Sequence, residues 1–428
     1  MLGIFLGLVV LIILAYKGFH IVWVAPIAAL VVALTGGLDL FTAYTQTYMD
    51  GLVSFTKSWF PVFLFGAIFG KMMEVTGSAK AVALMIRNLV GSQRAILAVV
   101  IACSALTYGG VSLFVVVFAI YPKAVELFRE ADISNRLIPG TIALGAFTFT
   151  MTALPGSPQL NNLIASQYLK TNTMAAPILG ITASIIMFIL GYLWLKYRER
   201  KLRNAGEHFE ESINKGVKVD SEKISSHWAI GLLALVSVVV SLNVLKLTAI
   251  YAIGIGIIIL TVFHINQYKK FANTLNEAAQ GSVSSIMNTA AAVGFGSVVR
   301  AVPGFAALTG YLLNLGGSPL LSEAVAITTL AGATGSSSGG MTIALEALAP
   351  TYLKIAEATG ISAEAFHRIA TVASGGLDTL PHCGAVVTLL SVCNLKHKDS
   401  YFDIGIVCCV IPLIATAVIV IMGSFGIV

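Results

Sequence analysis

The chain has 428 residues, 57% hydrophobic and 11% charged, where a soluble domain carries roughly 45–50% apolar and about 25% charged residues. With a mean hydropathy of +0.89, that balance excludes a water-soluble fold and fits an all-α polytopic membrane protein; a β-barrel is excluded because its strands would alternate polar and apolar residues. The net charge of +6 is spread among the apolar segments, so the lipid bilayer is the expected partner and nucleic acid is not.

Taken in order, apolar runs place first-half spans at 2–18, 20–37, 52–75, 138–168 and 174–196, with an apolar hairpin at 94–130. Leu2 to Tyr16 lack the basic leader and the small-x-small cleavage site of a signal peptide and are read as the first span. The one long polar stretch, Lys196 to Ser226, comes next. Beyond it lie spans at 228–244, 248–266, 281–302, 364–394 and 402–426, with a second hairpin at 322–358. The second set copies the first: Tyr121-Pro122-Lys123 returns as Ala349-Pro350-Thr351, 228 positions later, Phe41 to Gly51 as Phe271 to Gly281, and Leu154-Pro155 as Leu380-Pro381. The expected organisation is a first membrane repeat (1–197), a cytoplasmic linker (198–227) and a second membrane repeat (228–428). Five spans per half is an odd number, so the second half is expected to run inverted.

Each hairpin arm holds about 13–20 residues, and an arm of ~13 residues reaches only about 20 Å, so the hairpins are expected to be re-entrant. Basic residues sort by side under this count. With the termini outside, 20 of the 26 Lys and Arg fall on the cytoplasmic side, and Lys57, Lys170, Lys246, Arg300, Lys354 and Arg368 fall singly on the other. The expected location is the inner (plasma) membrane, with several passes.

Non-helical backbone survives at membrane depth only where protein or a wet cavity satisfies its N–H and C=O groups. Four places qualify: the hairpin tips around Thr107-Tyr108-Gly109-Gly110 with Ser112 and around Ser336-Ser337-Ser338-Gly339, and two breaks in the long spans. The first break carries Thr152, Gly156, Ser157, Gln159, Asn161 and Asn162; the second carries Asp378, Thr379 and His382. Half-helix N-termini with hydroxyl and amide side chains form a cradle for an anion, so these residues are expected to bind a small organic acid anion. Asp378 and His382 are four residues apart and are the expected proton-coupling pair, since ionisable groups within spans are costly and functional by default. Lys57, Glu74, Glu323 and Arg300 are expected to snorkel at span ends, and Glu346 is left open.

No metal or organic cofactor is expected. The five cysteines, Cys103, Cys383, Cys393, Cys408 and Cys409, have no metal-ligand spacing. The coupling ion is expected to be H+, with Na+ as the alternative. Gly335-x-Ser337-x-Gly339 matches the nucleophile signature of serine hydrolases, but the strand-turn-helix context that signature needs is absent, so an enzyme is not expected. A passive channel is disfavoured because no continuous charged or carbonyl-lined pore is evident.

The run Phe65-Gly66-Ala67-Ile68-Phe69-Gly70-Lys71-Met72-Met73 with Gly77 and Ala79, the hairpin after it, and the Pro155-to-Pro158 break resemble the gluconate permease (GntP) family of the ion transporter superfamily. The resemblance implies a proton-coupled secondary transporter of small organic acid anions, a homodimer with two re-entrant hairpins and an elevator-like motion. The family's acidic residue in the first hairpin and its His beside the first break have no counterpart in Thr107 to Ser112 or Thr152 to Ser157. The chain is in this respect similar to family members assigned to shorter hydroxy acids such as 3-hydroxybutyrate, with citrate or a dicarboxylate as the runner-up. A monoanion is expected because no arginine is read as lying deep in the membrane to pair a second carboxylate.

Overall fold

The computed structural model describes residues 2–17, 19–91, 94–211, 228–305, 307, 318–381 and 383–428. Among these residues every regular element is helical. The first half contains α1 (Leu2–Tyr16), α2 (Ile21–Gly36), α3 (Leu40–Val75), α4 (Ser78–Val90), α5 (Ala95–Tyr108), α6 (Leu113–Glu130), α7 (Leu137–Ala146), a single turn at Phe149–Thr152, α8 (Leu160–Tyr168) and α9 (Pro177–Asn204). The second contains α10 (Trp228–Asn243), α11 (Ala249–Phe263), α12 (Ile265–Ala301), α13 (Pro319–Thr334), α14 (Ser337–Thr359), α15 (Ala363–Ser374), α16 (Gly384–Val392) and α17 (His397–Ser424). Four of them, α3, α9, α12 and α17, are long and apolar enough to cross a membrane. The order of helices in residues 2–204 thus recurs in 228–424, apart from the counterpart of α4, which falls largely on 306–317, outside the described residues. The expected linker likewise lies outside them from 212 to 227.

Two long helices start earlier than hydropathy suggests. The third span is helical from Leu40 rather than 52, because Asp39 accepts the Thr42 N–H at 2.7 Å as an N-cap and the polar Thr, Tyr and Gln residues that follow lie on a continuous helix. Its counterpart begins at Ile265 rather than 281, with Lys269, Lys270, Asn273 and Glu277 on the helix. Hydropathy averaged over a window reads such amphipathic turns as loops. The amphipathic α4 escaped the sequence reading for the same reason.

Two bodies share one interior. In the first, α3 and α12 cross closely, Gly51 lying so near Ser297 that a Cβ there would stand 2.2 Å from its hydroxyl. Helix α2 packs onto α12 and α11 packs onto α3, so each half covers the long helix of the other; α1 lies against α2 and α13, and α10 against α11 and α4. The second body holds the helix pairs α5–α6 and α13–α14 with the broken spans α7–α8 and α15–α16. The leading piece of each broken span packs on the first arm of its own pair, α7 on α5 and α15 on α13. The trailing piece packs on the second arm of the opposite pair, α8 on α14 and α16 on α6.

Outside the spans, the segment after α9 is tied to the turn at 131–136. Arg129 pairs with Glu211 at 2.6 Å, Arg136 with Glu207 at 3.0 Å, and His208 with Asp132 at 2.7 Å. Hydrogen bonds from His208 and from the Phe209 N–H hold the exposed Asp132 carboxyl below the usual carboxylate range.

Candidate functional site

The first tip forms because α5 runs out at Gly109-Gly110. Gly110, at φ +95°, turns the chain, and the Val111 N–H closes back on the Leu106 carbonyl at 3.1 Å before α6 starts after Ser112. The first break follows from Pro155 and Pro158, which cannot donate to a helix, and from Gly156 at φ +77°. These two irregular stretches are bonded together. Gln159 Nε2 donates to the Thr107 carbonyl at 2.6 Å and to that of Val111 at 3.3 Å, and the Tyr108 hydroxyl donates to the Pro155 carbonyl at 2.9 Å. Thr107 Oγ1 is buried with no hydrogen-bond partner among the described residues.

The second tip is tighter. Gly335, at φ +61°, ends α13, and Ser336 caps α14 by accepting the Gly339 N–H at 3.2 Å. The second break leans on this tip: the Ser337 side chain and the N–H groups of Asp378 and Thr379 are the polar neighbours of the Asp378 carboxylate. Asp378 is 5% exposed, and its Oδ1 is buried without a hydrogen-bond partner among the described residues. Helix α17 supports the far side of the break. A π-helical turn at Ile406–Val410 loosens the regular backbone bonding there, and the Thr379 hydroxyl donates to the Cys408 carbonyl at 3.3 Å, with Cys409 Sγ also at 3.3 Å. Ser338 is half-buried in the first turn of α14. His382, the expected partner of Asp378, lies outside the described residues.

The two tip-and-break clusters meet. Asn161 Nδ2 donates to Ser374 Oγ at 2.8 Å, and a Cβ on Gly375 would stand 3.0 Å from Thr152 Cγ2. The structure therefore joins the first tip to the first break through Gln159 and Tyr108, the second tip to the second break through Ser337 and Asp378, and the two groups through the broken spans.

Not all of the expected anion binders point at open space. Asn162 is fully engaged: Nδ2 donates to the carbonyls of Ser157 and Thr173, and Oδ1 accepts from His367 Nε2 at 2.8 Å. Ser157 Oγ donates to the Thr150 carbonyl at 3.2 Å, and Thr152 Oγ1 to that of Thr148 at 3.1 Å. Gly109 packs on Leu235 of α10, and the Gly156 carbonyl accepts from Asn243 Nδ2 at 2.7 Å.

Two expectations about charges are corrected. Arg368, assigned from its position in the chain to an outer span end, is 0% exposed and lies among the helices. Its Nε and Nη2 donate to the Ala175 carbonyl at 3.1 and 2.7 Å, its Nη2 to that of Thr173 at 3.3 Å, and its Nη1 reaches Asn162 Oδ1 at 3.4 Å. An arginine does lie deep in the protein, but its donors are turned to the chain itself rather than to a second ligand carboxylate. Glu323 does not snorkel; it is 0% exposed. Of the others, Lys57 is exposed, Glu74 pairs with Lys71 at 3.2 Å, and Arg300 pairs with Glu346 at 2.9 Å.

Sequence reading missed His367, Arg368 and Asn243. The first two sit one and two positions from apolar neighbours on a short helix, and their role depends on the 171–176 segment that folds back over them. His367 Nδ1 lies 2.6 Å from the Thr171 hydroxyl, and Glu364 accepts the Ala176 N–H at 3.0 Å. No spacing rule joins residues about 200 positions apart in this way.

Comparison with known proteins adds to this geometry. The family model described as GntP family permease matches residues 1–255. The chain is also 41% identical, over 99% of its own length and 99% of the relative's, to a protein of Bacillus subtilis (strain 168) described as the uncharacterized transporter YxjC.

Proposed function

The chain belongs to the GntP permease family, and from that premise we propose that it imports a small hydroxylated monocarboxylate, of the 3-hydroxybutyrate or gluconate type, by proton symport. The observation that carries this reading is the junction of the two tip-and-break clusters, with hydroxyl and amide groups on the first and, on the second, the buried carboxyl of Asp378, whose Oδ1 has no partner among the described residues. A monoanion entering with one proton crosses as a neutral load, which avoids the ~2.3 kcal/mol that each uncompensated charge costs against 100 mV. The first cluster offers the Thr107 hydroxyl, unpartnered among the described residues, and Asp378 carries the proton.

In this proposal the halves form an inverted repeat, the pairs α5–α6 and α13–α14 are re-entrant, and the body holding both clusters moves against the α3–α12 crossing. The recurrence of helix order and the odd span count support it. The engagement of Arg368 with backbone carbonyls supports a monocarboxylate over citrate or a dicarboxylate, because its planar fork is occupied.

Counterflow in proteoliposomes tests the reading, using labelled 3-hydroxybutyrate, gluconate, citrate and succinate with and without pH and sodium gradients. Exchange of a hydroxylated monocarboxylate and its accumulation under a pH gradient are expected. Accumulation that follows sodium and ignores pH overturns the proton mechanism, and exchange confined to citrate or succinate overturns the substrate class.

A further inference from the structure

Glu323 occupies the second turn of α13, and its burial is complete. Both of its carboxylate oxygens are buried without a hydrogen-bond partner among the described residues. The phenol of Tyr352 on α14 lies within electrostatic reach, 3.5 Å from the hydroxyl of the adjacent Ser322 and stacked on Phe366 of α15.

Helix α13 packs against α1, α14, α15 and the 411–424 stretch of α17. Helix α1 and that stretch of α17 contain no Asp, Glu, His, Lys or Arg. On α14, Glu346 is held by Arg300 and Tyr168, and Lys354 and Glu357 are exposed. On α15, Glu364 accepts from Ala176, and His367 and Arg368 bond to Asn162 and the 171–175 segment. Each of these charges is accounted for elsewhere. An ionised carboxylate with neither cation nor donor costs several kcal/mol in such surroundings, and a proton removes that cost.

Glu323 is also separate from the site already described. It lies thirteen positions before Ser336, about 20 Å along a helix. The positions 228 before Glu323 and Tyr352 are Ala95 and Ala124, so the first hairpin has no equivalent.

We propose that Glu323, fully buried at the base of the second hairpin with both oxygens unbonded among the described residues, is a second proton-binding carboxyl that loads and releases its proton during the transport cycle. The proposal extends the symport reading, raising the number of protons carried with each substrate above that supplied by Asp378 alone.

The test has a ligand-free arm and a transport arm, both on the full chain in lipid. Infrared spectroscopy of the purified protein at neutral pH reads the C=O stretch of protonated carboxylic acids, and Glu323→Gln is expected to remove one such band. Glu323→Met, apolar and of similar size, is expected to remove the same band, which covers the case of a poorly folded glutamine variant. A band that persists in both variants overturns the proposal. In the transport arm, labelled 3-hydroxybutyrate or gluconate is accumulated at about 100 mV, and losing one coupled proton is expected to lower the accumulation ratio roughly 50-fold in Glu323→Gln while exchange at equal pH continues. Loss of the band with an unchanged accumulation ratio overturns the coupling role. Wild-type protein that transports none of the tested acids defeats the proposed function instead, and the infrared band then decides whether Glu323 holds a proton.

Discussion

The two breaks occupy matching places in the chain and are built from opposite chemistry. The first is crowded with satisfied groups around the Arg368 guanidinium: Asn162 alone makes bonds to Ser157, Thr173 and His367, and Asn243, Gln159 and Tyr108 each tie another carbonyl. The second leaves Asp378 Oδ1 without a partner among the described residues, and the contacts of the Thr379 hydroxyl to α17 are long, at 3.3 Å. A buried polar network that is fully satisfied fixes one geometry, whereas a sparsely bonded carboxyl can change its protonation state without dismantling its surroundings. The shared backbone plan thus leaves room for a division of labour, one break holding shape and the other offering a carboxyl that can take up a proton.

Removing the centre of the satisfied network should have the largest effect. Arg368→Ala leaves the Ala175 carbonyl without its side-chain donors and takes one of three donors from the Thr173 carbonyl, and breaking a buried charged network typically costs about 3–5 kcal/mol. The expected outcome is a large loss of thermal stability and of monodisperse protein in detergent, with Arg368→Lys intermediate because one ammonium cannot reproduce the fork. A variant that unfolds at the wild-type temperature would show that the first break is not held by this network.

Asp378→Asn should leave folding intact and change coupling. The amide imitates the protonated acid, so exchange of substrate at equal pH is expected to continue, while accumulation driven by a gradient of one pH unit falls about tenfold with the loss of one proton. Uptake and exchange lost together would place Asp378 in the architecture, and would erase the contrast between the breaks.

Much of this arrangement was legible in the sequence. The breaks at Pro155 to Pro158 and near Leu380-Pro381 and the Gly- and Ser-rich tips fall where helices cannot continue, and such chain punctuation is local. Amphipathic turns were less visible, since Thr42 to Asp50 and Lys269 to Glu277 look polar when averaged but are helical once Asp39 caps the former and tertiary packing supports both. The fates of Arg368 and Glu323 were invisible. An arginine five residues into a helix reads the same whether it faces headgroups or the carbonyl of Ala175, and only the fold-back of 171–176 decides. The same holds for Asn161 and Asn162, adjacent in the chain, of which one bonds across to Ser374 and the other back to Ser157.

The contact between the breaks offers the finest test of whether they act as one site. Gly375 abuts Thr152, and a methyl group there would stand 3.0 Å from Thr152 Cγ2 and 3.2 Å from its hydroxyl. Thr152 cannot easily yield, because it is 2% exposed and its hydroxyl is bonded to the Thr148 carbonyl. Gly375→Ala is therefore expected to destabilise by about 1–3 kcal/mol, the usual cost of overpacking. Thr152→Ala alone removes a methyl and a hydroxyl and should cost about 1 kcal/mol or less, since only one local hydrogen bond is lost. Combined, the two substitutions trade one methyl for another across the contact, so the double variant should recover most of the Gly375→Ala loss. The coupling energy from the four unfolding temperatures, expected at about 0.5–3 kcal/mol, measures how rigidly the breaks are joined. Strict additivity would mean that the Gly375–Thr152 contact carries no coupling between the broken spans, and the first break could then not hold the second in register through it.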